Sequence, residues 1–87
     1  MLNKYVVEFV GTLLLVFVIA RTGNSLAIGA TLALIHMVGV SVSGGMFNPA
    51  VTLAMSIAGR VPRNEFLLHV LAQCAGGVTA LEVLRRL

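Results

Sequence analysis

Apolar residues run along this chain in long blocks, and the polar positions fall in narrow interruptions between them. The first block, Tyr5 to Ala20, contains Glu8 and Thr12 and is closed by Arg21-Thr22-Gly23-Asn24-Ser25. A short polar cluster of that kind is a turn signal. The second block, Leu26 to Val42, holds His36 and Ser41 and ends at Ser43-Gly44-Gly45. A third and shorter block, Pro49 to Ala58, stops at Gly59-Arg60. After Val61-Pro62-Arg63 the last block runs from Asn64 to Leu84, followed by Arg85-Arg86-Leu87.

Length separates these blocks. A helix needs about 20 residues to cross a hydrocarbon core about 30 Å thick. The first, second and fourth blocks approach that with their flanks, so spans are expected at about 5–21, 25–42 and 63–85. The third, at about 1.5 Å per residue, reaches only about 15 Å, half the bilayer. A half-length helix opening on Asn-Pro after a glycine pair predicts a re-entrant segment, about 48–58, that dips to the midplane and returns to the same side. Such broken backbone survives only where protein or a watery cavity satisfies it. The expected fold is one all-α membrane domain over residues 1–87, with three transmembrane helices and one re-entrant half-helix.

Composition supports this reading. Of 87 residues, 59% are hydrophobic and 10% charged, with mean hydropathy +1.03. A soluble domain carries about 25% charge, so an ordinary soluble enzyme and a disordered tail are both excluded. The net charge of +3 comes from scattered cations, with no patch for nucleic acid; they flank apolar blocks as cations flank membrane spans. The single cysteine, Cys74, precludes an internal disulfide. There is no Cys/His cluster with metal spacing, no phosphate-binding glycine loop and no carboxylate pair, so no catalysis, metal or cofactor is expected. The expected partner is a lipid bilayer, with the chain a multi-pass integral protein. Lys4 followed by an apolar stretch also fits a cleaved leader, but Glu8 inside the run and the lack of a small-x-small cleavage site argue for a retained span.

Asn48-Pro49-Ala50 is the informative motif. Proline at the first helical position loses no hydrogen bond and presets the helical dihedral, and asparagine before it is a strong N-cap. By itself this is a capped helix start. Its expected place near the midplane gives it a second meaning. A helix N-terminus carries about half a positive charge, which repels cations and hydronium in a medium of low dielectric. The Asn48 amide offers a donor to a water or hydroxyl oxygen. That combination suits a pore for neutral solutes that excludes protons.

The stretch Ser43-Gly44-Gly45-Met46-Phe47-Asn48-Pro49-Ala50-Val51-Thr52-Leu53-Ala54 resembles the first signature loop of the aquaporin, or major intrinsic protein, family. Glu8-Phe9-Val10-Gly11-Thr12 resembles the family's first-helix motif, and Leu26-Ala27-Ile28-Gly29 the start of its second helix. Gly59-Arg60 and Ala72-Gln73-Cys74-Ala75-Gly76-Gly77 resemble the entry and middle of its third. The resemblance implies an aquaporin-like half-repeat. Family members carry two such repeats, inverted relative to each other, and this sequence carries one. A lone re-entrant helix leaves polar backbone facing lipid, so the second Asn-Pro-Ala is expected from another chain.

The distribution of charges bears on that expectation. With three spans, Lys4, Arg60 and Arg63 share one side and Arg21, Arg85 and Arg86 the other, with the amino terminus as sole tiebreaker. Positive-inside bias is nearly absent. That balance is what an inverted homodimer requires, although a short chain also reaches it by chance. Family assemblies are tetramers of pores, which implies four such pairs, or eight chains.

The resemblance also implies roles for single residues. Glu8 is an acid inside a span, costly there and usually functional or paired; the matching family residue accepts hydrogen bonds from the re-entrant loop. The rival roles for Glu8 are a proton-coupling carboxylate and an interfacial acid. Gln73 is expected to support the same loop. His36 matches the spacing of the second repeat's filter histidine and Ile28 the first repeat's filter aromatic, so in an inverted pair the two come from different chains. A packing histidine remains the alternative for His36. Val51 stands where the second repeat usually has arginine, so Ile28, His36, Gly45 and Val51 are expected to form a wider or more apolar constriction. Gly11, Gly29, Gly76 and Gly77, with Ala33, Ala72 and Ala80, follow small-residue spacing for close helix contact. His69 and Gln73 share the glycine face and are expected to be buried. Cys74 and the methionines are read as packing groups, and Glu82 as a partner of Arg85 or Arg86.

Three functions compete at this stage. The first is a passive channel for water or small neutral solutes built from antiparallel half-chains. The second is a proton-coupled small dual-topology transporter using Glu8. The third is a non-conducting structural subunit of a larger channel.

Overall fold

A computed structural model describes residues 3–87; the amino-terminal charge counted above lies outside them. Four helices follow in order: α1 (Lys4–Thr22), α2 (Ser25–Ser43), α3 (Pro49–Ile57) and α4 (Arg63–Arg85). Their ends have local causes. Asn3 caps α1, its side chain accepting the Tyr5 N–H at 2.7 Å. The α1–α2 turn is only Gly23 and Asn24. Gly23 takes the left-handed conformation (φ 57°) that closes a helix, and Asn24 Oδ1 accepts the Ala27 N–H at 2.9 Å to open the next. Gly44 (φ 91°) ends α2 in the same way.

α1 is the central helix. It packs along α4 and, on another side, against α2, while α3 packs on α4. Among the described residues the backbone of α2 comes close to that of α1 alone. At the end where α1 and α4 both begin, Lys4 Nζ lies 2.9 Å from Glu65 Oε1. α1, α2 and α4 are each long and apolar enough to cross a membrane, and the longest dimension of the bundle is 38 Å.

The distribution of polarity is inverted relative to a water-soluble protein. The buried side chains include Glu8, Thr12, Ser43, Thr52, His69 and Gln73, whereas Leu26, Met37, Val38 and Ile57 are more than two-thirds exposed. Such an exterior suits hydrocarbon, where apolar contact costs nothing and polar groups must be satisfied inside.

The re-entrant path is visible in what each end of α3 touches. Thr52, in its first turn, is hydrogen-bonded to Gln73 near the middle of the 23-residue α4. The residues that follow α3, Arg60 to Pro62, line the same cavity as Ser43 and Gly44 at the end of α2. Chain 44–62 therefore descends to mid-depth and climbs back.

Not every small residue packs as expected. Gly29 and Ala33 are exposed, and a Cβ at Gly29 meets nothing within 4 Å. They lie off the face that α2 turns to α1, which uses Gly39, where a Cβ would sit 3.0 Å from Val7 Cγ1. Cys74 is exposed rather than packed, as is Met37 at 71%. Arg85 does meet Glu82, at 3.1 Å, with Arg86 at 3.9 Å, in an exposed pair of small energetic weight.

The α1–α4 contact gives a matched test. A Cβ on Gly76 falls on the Phe9 carbonyl oxygen, part of the rigid α1 backbone, whereas one on Gly77 sits at an ordinary 3.5 Å from Val16 Cγ2. Both alanines gain the same helix propensity, about 1 kcal/mol. Gly76→Ala is expected to destabilise by about 1–3 kcal/mol through overpacking, and Gly77→Ala to be neutral or stabilising. Thermal unfolding in detergent separates the two.

Candidate functional site

The loop between α2 and α3 cannot satisfy its own amides. Glycine permits the turn at Gly45 (φ 60°), but Phe47 also adopts a positive φ of 53°, a conformation costing a non-glycine residue about 1–2 kcal/mol. Two contacts offset that strain. The Phe47 ring, 2% exposed, fills the space left by Gly11 and Gly39, where an added Cβ at Gly11 would overlap the ring itself. The Phe47 N–H donates to Glu8 Oε1 at 2.8 Å.

Glu8 is the centre of the arrangement. Fully buried, it accepts four hydrogen bonds: from Phe47 N–H, from Met46 N–H at 3.2 Å, from Ser43 Oγ at 2.6 Å and from Gln73 Nε2 at 2.7 Å. An ionised carboxylate is acceptor-only with about four lone-pair sites, so the donors around Glu8 match the ionised form. Ser43 Oγ in turn accepts the Gly45 N–H at 3.1 Å.

From Gln73 the network continues to α3. Gln73 Nε2 also donates to Thr52 Oγ1 at 2.7 Å, and Thr52 Oγ1 donates to the Asn48 carbonyl at 2.8 Å. Both partners of the amide take protons from it, which assigns the nitrogen to that side. Gln73 Oε1 and Thr12 Oγ1 are buried without a partner. Asn48 Oδ1 caps α3, accepting Ala50 N–H at 2.8 Å and Val51 N–H at 3.4 Å. The Asn48 amide nitrogen makes no hydrogen bond among the described residues, and Asn48, Pro49 and Ala50 are exposed. The structure thus presents a helix N-terminus at mid-depth with one side-chain donor turned outward.

His36 is exposed, and its Nδ1 lies 2.7 Å from the Gly45 carbonyl oxygen. That oxygen only accepts, so Nδ1 carries the proton and a neutral ring keeps its lone pair on Nε2. Val51 is 41% exposed on the first turn of α3. Ile28 lies two turns before His36 on α2, about 12 Å along the axis. One chain therefore joins His36 to Gly45 but does not bring Ile28 to them. Among the described residues no three His, Cys, Asp or Glu side chains converge as metal ligands.

Ser43, Thr52 and Phe47 belong to this network although the sequence reading gave them no role. A signal existed for Thr52, since a hydroxyl in an apolar block needs an internal partner, whereas Ser43 sits in the polar break after its block and carried none. None existed for Phe47, because its conformation runs against its residue type.

Comparison with known proteins places this geometry in context. The family described as Major intrinsic protein matches residues 1–87. The chain is 39% identical over 88 residues to glycerol uptake facilitator protein-like 6 of Lactiplantibacillus plantarum, covering 91% of the chain and 41% of that relative. It is 38% identical over 100 residues to aquaporin Z of Brucella melitensis, covering 97% of the chain and 43% of that relative. The chain spans about two-fifths of the length of these relatives. No solved structure matches.

Replacing Glu8 with glutamine turns one of its two oxygens into a donor, facing either the Ser43 and Met46 donors or those of Phe47 and Gln73. A buried donor left unpaired costs about 1–3 kcal/mol, so Glu8→Gln is expected to lower unfolding stability by about 2–4 kcal/mol. Faster amide exchange at Met46 and Phe47 is expected with it. Unfolding in mixed micelles and exchange mass spectrometry measure the two effects.

Proposed function

The chain belongs to the major intrinsic protein family, and we propose that it forms half of a passive channel for water or small neutral solutes, completed by a second copy in the opposite orientation. The observation that carries this reading is the capped N-terminus of α3, exposed at mid-depth with the Asn48 amide turned outward. Two such tips facing each other place about half a positive charge from each side at one point, an electrostatic barrier to hydronium and cations. A neutral solute meets only donors.

Three further features support an inverted pair. Among the described residues α1 is the one helix packed along α2, and Met37 and Val38 remain more than two-thirds exposed next to the loop. Ile28 and His36, apart within one chain, are free to meet across two. The cations divide evenly, with Lys4 and Arg60 lining a cavity at one end, Arg63 beginning α4 at that same end, and Arg21, Arg85 and Arg86 at the opposite ends of α1 and α4. Four such pairs, eight chains, make a tetramer of pores. With Val51 at both mouths in place of a cation, the constriction is apolar apart from His36 Nε2, so polyols pass as well as water.

Glu8 fits support of the loop better than proton coupling. It is fully buried with all four acceptor positions engaged, which leaves it no aqueous access. The non-conducting alternative is decided by transport.

Stopped-flow light scattering of proteoliposomes is expected to show water and glycerol equilibration at least several-fold faster than in empty vesicles; equality for both solutes defeats the channel reading. Val51→Arg is expected to reduce glycerol permeability about tenfold more than that of water by adding a charge and donors at the constriction. In a Cys74→Ser background, Ala50→Cys is expected to crosslink two copies on oxidation, since a disulfide requires Cα atoms within about 7 Å. Absence of that dimer in conducting vesicles counts against the inverted pair.

A further inference from the structure

We propose that the outward stripe of α4 is the seam along which two inverted copies join, helix against antiparallel helix, with the symmetry axis passing close to Gly76. This seam presupposes the inverted pair proposed above and adds the surface that closes it. Leu67, Leu71, Cys74, Val78 and Leu81 are all exposed. They recur at steps of four, three, four and three residues, so they form one continuous line along the helix. The buried residues of α4, His69, Gln73, Gly76 and Ala80, form a second line facing the interior of the chain, and the exposed line lies on the far side from it.

Lipid alone satisfies an apolar stripe, so exposure by itself calls for no partner. Two positions along α4, fixed independently, do call for one. The first is the level of the axis. α1 packs against both α2 and α4, which makes α2 and α4 the edges of a three-helix wall. A two-fold axis in the membrane plane inverts the second copy and brings each edge to its own counterpart, so α4 lies beside α4 and runs the opposite way. With the α3 tips meeting on that axis, it lies near the level of Asn48. Thr52 is bonded to the Gln73 amide at 2.7 Å, and Asn48 lies four residues, about 6 Å, nearer the tip. α3 climbs toward the end where α4 begins, so the same distance corresponds to about four residues further along α4. A helical side chain leans back over the preceding turn, which sets the Gln73 amide slightly before its own backbone position. The axis therefore crosses α4 near Gly76.

The second position is the centre of the stripe. An antiparallel pair centred on Gly76 sets Cys74 of one copy against Val78 of the other, and Leu71 against Leu81. Leu67 falls along the apolar stem of Arg85. A centre at Ala75 would set Cys74 against Gly76, and a centre at Gly77 would set it against Ala80, both of which are buried within their own chain. The stripe is thus its own complement about the level that α3 fixes. Cys74 and Ala75, both small and exposed there, permit the close approach on which helix association in lipid depends. The seam gives the conduit its wall on the α4 side and keeps lipid from the Asn48 donors.

The test mixes two forms of the full chain in dilute lipid vesicles. One keeps Cys74 as its sole cysteine, and the other is Cys74→Ser with Val78→Cys, distinguished by a terminal tag. Both positions are exposed, so neither substitution disturbs the interior. In the antiparallel register the two thiols stand opposite each other, within the Cα separation of about 7 Å that a disulfide needs. Two copies of the same form place theirs about 6 Å apart along the axis in addition to the gap between helices. Oxidation is expected to give about tenfold more mixed dimer than either homodimer. Homodimers of both forms without the mixed species mark contact at equal levels, as in a parallel pair, and overturn the seam. A Cys74 homodimer alone moves the axis off Gly76 and overturns the register. No crosslink through α4 while Ala50→Cys still crosslinks overturns the seam and leaves the inverted pair standing, and loss of both crosslinks removes pair and seam together.

Discussion

The structure depends on one requirement: backbone N–H groups that a helix does not use must still find acceptors where there is no water to supply them. Breaking the chain between α2 and α3 frees the amides of Gly45, Met46 and Phe47, and each goes to Glu8 or to the Ser43 hydroxyl that Glu8 itself holds. An ionised carboxylate suits this task because it accepts several hydrogen bonds at once and competes with none as a donor. Burying it is costly alone, and its four donors make it tolerable. α1, which carries Glu8, is accordingly the helix that α2 and α4 both pack against. The irregular loop and the acid in the span require each other.

Much of the architecture was legible because bilayer thickness converts block length into topology. A block of some 20 apolar residues spans, and the Pro49 block is too short to do so, whatever its detailed packing. Glu8 stood out for the same reason, as a charge where charge is expensive. Its partners did not. Ser43 and Gln73 lie 35 and 65 positions away in the chain, and hydrogen bonds at that separation leave no periodic trace. Phe47 was illegible in a stronger sense, since an aromatic residue gives no sign of a left-handed backbone. Its conformation follows from the gap that Gly11 and Gly39 leave for its ring, a three-body condition.

The glycines show the same limit from the other side. Small-residue spacing marked Gly11, Gly29 and Gly76 alike, yet only Gly11 and Gly76 meet another element within this chain. Spacing identifies a helix face that permits close approach and leaves the neighbour unspecified. α2, packed on one side only, carries the unused face. Cys74 and Met37 were misplaced by a related error: in lipid, burial is no longer the default fate of an apolar side chain, because the exterior is apolar too.

That unused face and the mid-depth helix tip belong to one argument. A soluble half-domain with as few buried apolar side chains as Phe47, Val61 and Ala80 would have no core, but here lipid supplies the apolar environment and the interior is given over to hydrogen bonding. Lipid cannot supply the remaining need. Asn48 presents a donor, and the first turn of α3 a partial positive charge, at a depth where hydrocarbon offers no acceptor. The groups that meet such a surface at low cost are water or a second polar wall enclosing water. In the pair proposed above, an inverted copy would provide that wall with the same residues, and the unsatisfied surface of one chain would line the conduit between the two.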